Sequence, residues 1–548
     1  MTRAQRRLGE GVLVLVAAFA AYAPALRGAF VSDDFYYLWS SPSVASPSWR
    51  GIVDILDPFG SSALSILNWA PVHLLLHALE VAVFGRDPLG YHVVNVLVHV
   101  AAALLLARLL VRTGADARAA FAAALVFALH PANVEAVAWV SQLKTTSSLA
   151  LAFVALLALE RRPAFATAVF ALALLAKAQA LAALPFAAAM SWLAARGGSE
   201  RTGAAAASGS VPPIAYAPRW VAAWAVVGVG YVAVELSIFR AASESIAPLH
   251  DDPVLLVANL VAVAGRYAVM IATGTGLATF HQPDAIESLA SPWVWGTAIG
   301  LALAAARALV AFRSRSPELA WWAFGAAAYA PISQVLPFLH PVGDRYVYYL
   351  LPPVLGIALC ALRARSIDER RVAVAGVALA LVFGVLAHAR AGVWASPERV
   401  FADSAARYPN GLKAHMGAAR AAARRGDGEA ACTSLDRARA RGFTGLAQLF
   451  ADPGLRALRG TPCFDAIVRD VARERVAHFA AQRPSQLALA NLAFAQRALG
   501  DVEQARRTLE RAVALGGPMT ASLVRQLRAL ERGGREAGAA PPSHAPAS

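Results

Sequence analysis

Apolar residues run through the first three quarters of the chain in long blocks, and polar residues collect in the short gaps between them. Blocks suited to crossing a bilayer start near Gly11, Leu89, Ala119, Thr145, Ala164, Ala180, Trp220, Trp293, Leu319, Arg345 and Arg371. A helical span takes about 20 such residues, because backbone polar groups inside hydrocarbon must be bonded within their own segment. The pattern predicts an all-α fold whose residues 1–392 form a polytopic helical membrane domain of about eleven spans.

Two stretches decide that count. Residues 164–196 read as one long helix or a tight pair. Read as a pair, they put Arg161-Arg162, Arg196, Arg201 and Arg219, Arg313 and Arg315, and Arg363 to Arg371 on one side with Arg3, Arg6 and Arg7, as the positive-inside rule requires. The same bookkeeping keeps residues 254–273, which contain Arg266, from crossing, and makes them an interfacial or re-entrant segment of a long external loop, 240–291. The amino terminus is then cytoplasmic, and the first loop and the carboxy-terminal tail lie on the far side of an inner or plasma membrane. The first block carries no convincing small-residue cleavage site and is expected to remain as the first helix.

Before the second span, His73, His77 and Glu80 are spaced i, i+4 and i+7, so they share one helical stripe. That stripe predicts an amphipathic helix on the outer membrane surface, its polar face turned to headgroups rather than to a metal ion. From Trp394 onward Ala, Arg, Glu and Leu recur at helical period. Gly426-Asp427, Ala431, Leu435 and Ala438 return as Gly500-Asp501, Ala505, Leu509 and Ala512, the small and apolar packing sites of a tetratricopeptide repeat. Residues 393–532 are therefore expected to be a soluble tetratricopeptide-repeat helical array, and the Gly-, Ala-, Pro- and Ser-rich residues 533–548 a disordered tail.

Composition excludes the alternatives. A 548-residue chain that is 58% hydrophobic and 16% charged is not one water-soluble globule. The net charge of +15 sits in short clusters between apolar blocks rather than along one face, which speaks for topology and against nucleic acid. Of the three cysteines, Cys360 falls in an apolar block, while Cys432 and Cys463 lie in the tail and have the option of pairing if it is outside the cytoplasm.

The candidate chemistry lies at the outer ends of the predicted spans. Asp33 and Asp34 follow the first block directly, and paired carboxylates at a membrane mouth mark a site by default. His130 and Glu135 lead to Lys144, Lys177 is followed by Gln179, and Asp344-Arg345-Tyr346 opens the tenth span. Of 50 basic side chains only Lys144, Lys177 and Lys413 are lysine, and two of these sit at outer membrane edges. An ammonium meets phosphate as a compact point charge, and Arg grips it bidentately. One outward surface thus combines carboxylates able to take a hydroxyl proton with cations able to bind an anionic headgroup. In the alternative, Asp33 and Asp34 hold a divalent cation, Mg or Mn, that meets the phosphate charge.

The order of Asp33-Asp34, of residues 89–99 ending in His99, of His130-Pro131 through Lys144, of Lys177 with Pro185 and of Asp344 to Tyr348 resembles the membrane-and-tetratricopeptide-repeat proteins of the GT-C glycosyltransferase superfamily, and more distantly the protein O-mannosyltransferases. The resemblance implies an integral-membrane glycosyltransferase that moves a sugar from a polyprenyl-phosphate donor to a protein hydroxyl or glycan acceptor on the non-cytoplasmic face. It implies Asp33 or Asp34 as the catalytic acid of the first external loop, and Lys144, Lys177 and Arg345 near the lipid phosphate. The tail would recruit a protein acceptor or partner. Two other classes fit many spans. A transporter or flippase would carry its charges near mid-span rather than at span ends, and a non-catalytic scaffold presenting its repeats would need one span, not eleven.

Overall fold

The structure, a computed structural model, describes residues 3–66, 68–208, 214–242, 248–337, 340–517 and 519–531; the tail at 533–548 lies outside the described residues. Among the described residues all regular structure is helical. The chain divides into two compact units. One comprises Met1–Leu38, Ala70–Ala233 and Ile246–Val400, and the other Trp39–Trp69, Val234–Ser245 and Phe401–Ser548.

Local signals explain where the membrane helices begin. Pro88, Pro163, Pro218, Pro253 and Pro292 each occupy the first helical position, where a missing N–H costs nothing. Asp87, Asp116, Asp252 and Asp368 cap the helices that follow them; Asp252, for example, accepts the Val254 and Leu255 amides at 2.8 and 2.9 Å. Between helices, small residues permit close approach. The Glu369–Ala391 helix lies along Ala117–Leu129, and a Cβ added to Gly376 would stand 2.9 Å from the Ala122 side chain.

Nine helices among the described residues are long and apolar enough to cross a membrane, and a tenth counts if Ala117–Leu129 and Pro131–Ala138, bent by 51°, form one span. The protein is a multi-pass membrane protein. The set differs from the eleven blocks at three places. Residues 163–196 form the pair of helices that the arginine count calls for, broken at Lys177, but the first of them, Pro163–Ala176, has only 14 residues. The block at Leu319 yields the 12-residue helix Glu318–Tyr329, ended by a 3-10 turn over Pro331. Pro253–Thr273, in contrast, is a full 21-residue helix of span length, its Arg266 guanidinium 4.8 Å from the centre of the Trp293 ring. A charge count does not register a cation shielded by an aromatic face.

The Pro71–Phe84 helix also departs from expectation. His73 and His77 are fully buried and Glu80 nearly so, while Leu79 and Val83 are exposed. The polar stripe therefore faces protein, not headgroups. Period alone fixes which residues share a face, not which face is turned inward.

The tail packs as successive helical hairpins, Leu412–Arg424 with Gly428–Ala440 and Gln486–Ala498 with Val502–Ala514. The recurring Gly-Asp pair is their turn. Gly426 and Gly500 adopt φ of +79° and +88°, which closes the first helix, and Asp427 then caps the second by accepting the Ala430 amide at 3.0 Å. Ala431, Leu435 and Ala438, and their counterparts Ala505, Leu509 and Ala512, are buried between hairpin partners. A disulfide joins Cys432 to Cys463.

Candidate functional site

The site begins where the first helix ends. Val31 to Asp34 form a tight turn in which the Asp34 amide donates to the Val31 carbonyl at 3.0 Å and Ser32 takes φ 48° and ψ −116°. These are the angles of the first central residue of a type II′ turn, a position that favours glycine. The turn separates the two acids. Asp34 is 1% exposed; its carboxylate accepts the Val31 and Ser141 amides, each at 2.8 Å, and the Ser141 hydroxyl. Asp33 is only part-buried, and among the described residues it accepts just the Ser32 hydroxyl, at 3.2 Å. Burial pushes the Asp34 carboxyl up to about 6, against the opposing pull of the hydrogen bonds from Ser141 and Val31 and of His77.

The segment around 89–99 holds this loop to the next one. His92, Asn95 and His99 lie on one helical stripe and are buried. His92 meets the Gly28 carbonyl at 3.3 Å, Asn95 donates to the Trp139 and Val140 carbonyls, and His99 bridges the Ala128 carbonyl and the Tyr348 hydroxyl. The motif is a clamp between the first and second loops. Trp139 completes it by donating its indole N–H to the Val31 carbonyl at 3.3 Å.

Three cations converge on the same region. Arg345 pairs with buried Glu135 through a guanidinium N–H at 2.6 Å and its own backbone amide at 2.8 Å, and it donates a further bond to the Tyr346 hydroxyl at 3.2 Å. Its guanidinium also lies 4.7 Å from the centre of the Tyr346 ring and 5.7 Å from that of Trp139. Asp33 is close enough for its charge to act on Arg345 and Tyr346. Lys144 donates to the Tyr37 hydroxyl at 2.8 Å, and Lys177 to the Thr145 hydroxyl at 2.7 Å. Both ammonium groups are part-buried, and among the described residues neither has a carboxylate partner. Burial, with Lys144 and Arg345 nearby, holds Lys177 well below the usual lysine range, while Glu135 opposes that shift.

Other predicted positions serve the frame. His130 spends both ring nitrogens, one on the Ile271 carbonyl at 3.0 Å and the other as acceptor of the Ala132 amide at 3.2 Å. Asp344 is held by His281 at 2.6 Å and Arg390 at 3.3 Å, which fixes the start of the helix behind Arg345. The Gln179 amide is buried with neither polar atom bonded. Sequence reasoning did not single out Tyr37, Thr145 or Ser141 as site residues, because their roles come from tertiary pairing; their only signal was closeness in sequence to Asp34 or Lys144.

Of the two carboxylates that a divalent cation would share, Asp34 has both oxygens accepting hydrogen bonds, while Asp33 is largely uncommitted. The charge of Asp33 reaches Arg345, and Arg345 and Lys144 in turn act on Lys177. Among the described residues no group of three or more His, Cys, Asp or Glu side chains is placed to hold a metal. The donor set suits an anion.

No protein-family model matches the sequence. The chain is 32% identical over 135 residues to the protein O-mannosyl-transferase TMTC1 of Mus musculus, and 35% identical over 127 residues to that of Drosophila melanogaster. The chain resembles the TMTC1-type protein O-mannosyl-transferases. The two matches cover 24% and 22% of this chain and 14% of each relative's own length. The human TMTC1 protein is 31% identical over 135 residues, with 24% of this chain and 15% of its own length covered. Among solved structures, the archaeal oligosaccharyltransferase AglB from Archaeoglobus fulgidus aligns at TM-score 0.38 and 16% identity, covering 70% of this chain and 56% of that one, too loose a match to carry an argument.

Proposed function

We propose that the protein is a membrane glycosyltransferase that transfers a hexose, mannose by the relatives' name, from a polyprenyl-phosphate donor to a hydroxyl, that of a protein acceptor in the first instance. The observation that carries this reading is a weakly committed carboxylate, Asp33, whose charge reaches Arg345, with Arg345 and Lys144 in turn acting on Lys177, and with neither lysine holding an acidic partner among the described residues.

The acceptor oxygen attacks the anomeric carbon from the face opposite the phosphate, and its proton passes to Asp33. The bond from that carbon to the phosphate oxygen breaks, leaving its electron pair on the phosphate, where Lys144 and Lys177 meet the charge. Arg345, already paired with Glu135, presents its remaining edge. Asp34 acts as a positioning residue, since its oxygens are committed to the loops. No metal enters these steps. The disulfide in the tail supports an oxidising, non-cytoplasmic compartment for that unit, and the tail's hairpins, read as tetratricopeptide repeats, supply a surface for an acceptor or partner protein. A transporter is disfavoured because the charged cluster gathers at helix ends.

The test is transfer of labelled mannose from a polyprenyl-phosphate donor to a Ser- and Thr-containing peptide by protein in nanodiscs. Wild type transfers, and Asp33→Asn lowers turnover by about 10²- to 10⁴-fold while folding is retained. Full activity in Asp33→Asn removes the base assignment. Absence of transfer from every polyprenyl-phosphate sugar removes the reading itself.

A further inference from the structure

The Pro71–Phe84 helix carries buried polar atoms that the fold leaves without partners. His73 is fully buried, and neither ring nitrogen is hydrogen-bonded among the described residues. His77, also fully buried, bonds Glu80 through Nδ1 at 2.6 Å and leaves Nε2 unpartnered. Buried imidazole nitrogens without partners are costly, and native proteins satisfy nearly all of them. A site that lacks its ligand explains them.

The surroundings identify that ligand. The His73 ring lies 4.9 Å from the Tyr37 ring and 4.4 Å from the His77 ring, centre to centre. Tyr37 is the residue whose hydroxyl receives Lys144 and whose ring centre lies 4.6 Å from the Lys144 ammonium. The charges of both Lys144 and Lys177 act on His73. A metal ion would face two ammonium groups, and Glu80 is already bonded to His77. An anion would meet attraction from both lysines and hydrogen-bond donors from the imidazoles.

We propose that His73, with His77 beside it, completes an anion-binding subsite whose ligand is the phosphate of a prenyl phosphate, His73 giving a ring N–H to a phosphate oxygen that Lys144 and Lys177 also approach. This rests on the glycosyltransferase reading and deepens it by assigning the helix before the second long span to the donor phosphate. His77, oriented by Glu80, sits behind His73 and supplies the second imidazole donor when it carries a proton on Nε2. The same donor set would take free inorganic phosphate, and only the prenyl chain distinguishes the two sources.

The experiment is a calorimetric titration of the full-length protein in detergent micelles with farnesyl phosphate, with inorganic phosphate and farnesol as separate arms. Farnesyl phosphate is expected to bind wild type, His73→Ala to weaken binding at least tenfold, and His73→Gln, which keeps one donor, to recover part of the loss. His73→Phe fills the same space without a donor and is expected to match the alanine variant, so a loss from collapse of the pocket is told apart. Binding of inorganic phosphate with the same dependence on His73 supports the subsite and makes free phosphate its ligand. If Lys144→Ala and Lys177→Ala weaken farnesyl phosphate binding while His73→Phe and His73→Gln bind like wild type, the subsite assignment is overturned and the donor-phosphate reading stands. If wild type binds farnesol as well as farnesyl phosphate, or binds neither phosphate, both are overturned.

Discussion

Asp34 and Ser141 stand 107 residues apart in sequence, yet the Asp34 carboxylate receives both the backbone amide and the hydroxyl of Ser141. One buried side chain thereby joins the loop after the first helix to the loop that delivers Lys144. Removing the hydroxyl withdraws one donor from a buried carboxylate, and hydrogen bonds to charged groups are worth about 2 kcal/mol. Ser141→Ala is expected to lower stability by about that amount, read as the shift of thermal unfolding in a fixed detergent. Unfolding indistinguishable from wild type would mean that the two loops are joined elsewhere.

The same carboxylate sets a pH dependence. Unfolded, an aspartate loses its proton near 3.8, whereas buried Asp34 keeps it to about 6. Between those values the folded state binds more protons than the unfolded state, so this group makes stability fall as pH rises through the window, by about 3 kcal/mol in total. The unfolding temperature of wild type is expected to drop more steeply from pH 4 to 6 than that of Asp34→Asn, which has nothing to titrate there. Parallel profiles would contradict the burial of an ionisable group at this position.

Glu135 and Arg345 form a buried pair, and removing one partner strands the other. Glu135→Gln is expected to cost about 3 to 5 kcal/mol, because the guanidinium loses its counter-charge while remaining enclosed by Trp139 and Tyr346. Replacing both, as Glu135→Gln with Arg345→Met, is expected to recover part of that stability while binding of farnesyl phosphate stays impaired. A double variant no more stable than the single one would show that the pair is not the unit of stability.

How much of this was legible beforehand varies residue by residue. Asp33, Asp34, Lys144, Lys177 and Arg345 were readable because charge beside hydrocarbon is costly and therefore conspicuous in the sequence. The bonds that give Asp33 and Asp34 different roles were not, since adjacent acids look alike until a turn points one inward. The His73, His77 and Glu80 stripe was readable as a stripe, but its direction depends on Tyr37, which folds back from the preceding loop. Pro253–Thr273 is an apolar helix of span length, and its cation Arg266 lies against Trp293, a residue 27 positions on, a pairing that no charge count registers. The Gly-Asp pairs of the tail were legible as a recurrence, while their role as hairpin turns comes from the left-handed glycine and, at the first of them, the capping Asp427.

The tail's disulfide closes a loop with a sequence separation of 31 residues. Loop-closure entropy for that length amounts to about 3 to 4 kcal/mol in the unfolded state. Cys432→Ser is expected to destabilise the tail by an amount of that order, and in whole cells neither Cys432 nor Cys463 should react with a thiol-alkylating reagent until a reductant is added. Prompt alkylation of both thiols in intact, unreduced protein would argue against the bond and against an oxidising compartment for the tail.

Ser32 carries the turn that presents Asp33, and it does so at φ 48° and ψ −116°, a region that glycine enters freely and other residues enter at a cost of about 1 to 3 kcal/mol. Ser32→Gly removes that cost but also frees the backbone on which Asp33 is held and deletes the hydroxyl that bonds it. The two effects have opposite signs on different measurements. Thermal stability is expected to rise slightly or hold, while the proposed sugar transfer falls several-fold through turnover rather than donor affinity, because the residues proposed to bind the phosphate lie on other elements. A variant that gains stability with turnover intact would mean that the strain at Ser32 does not serve to aim Asp33.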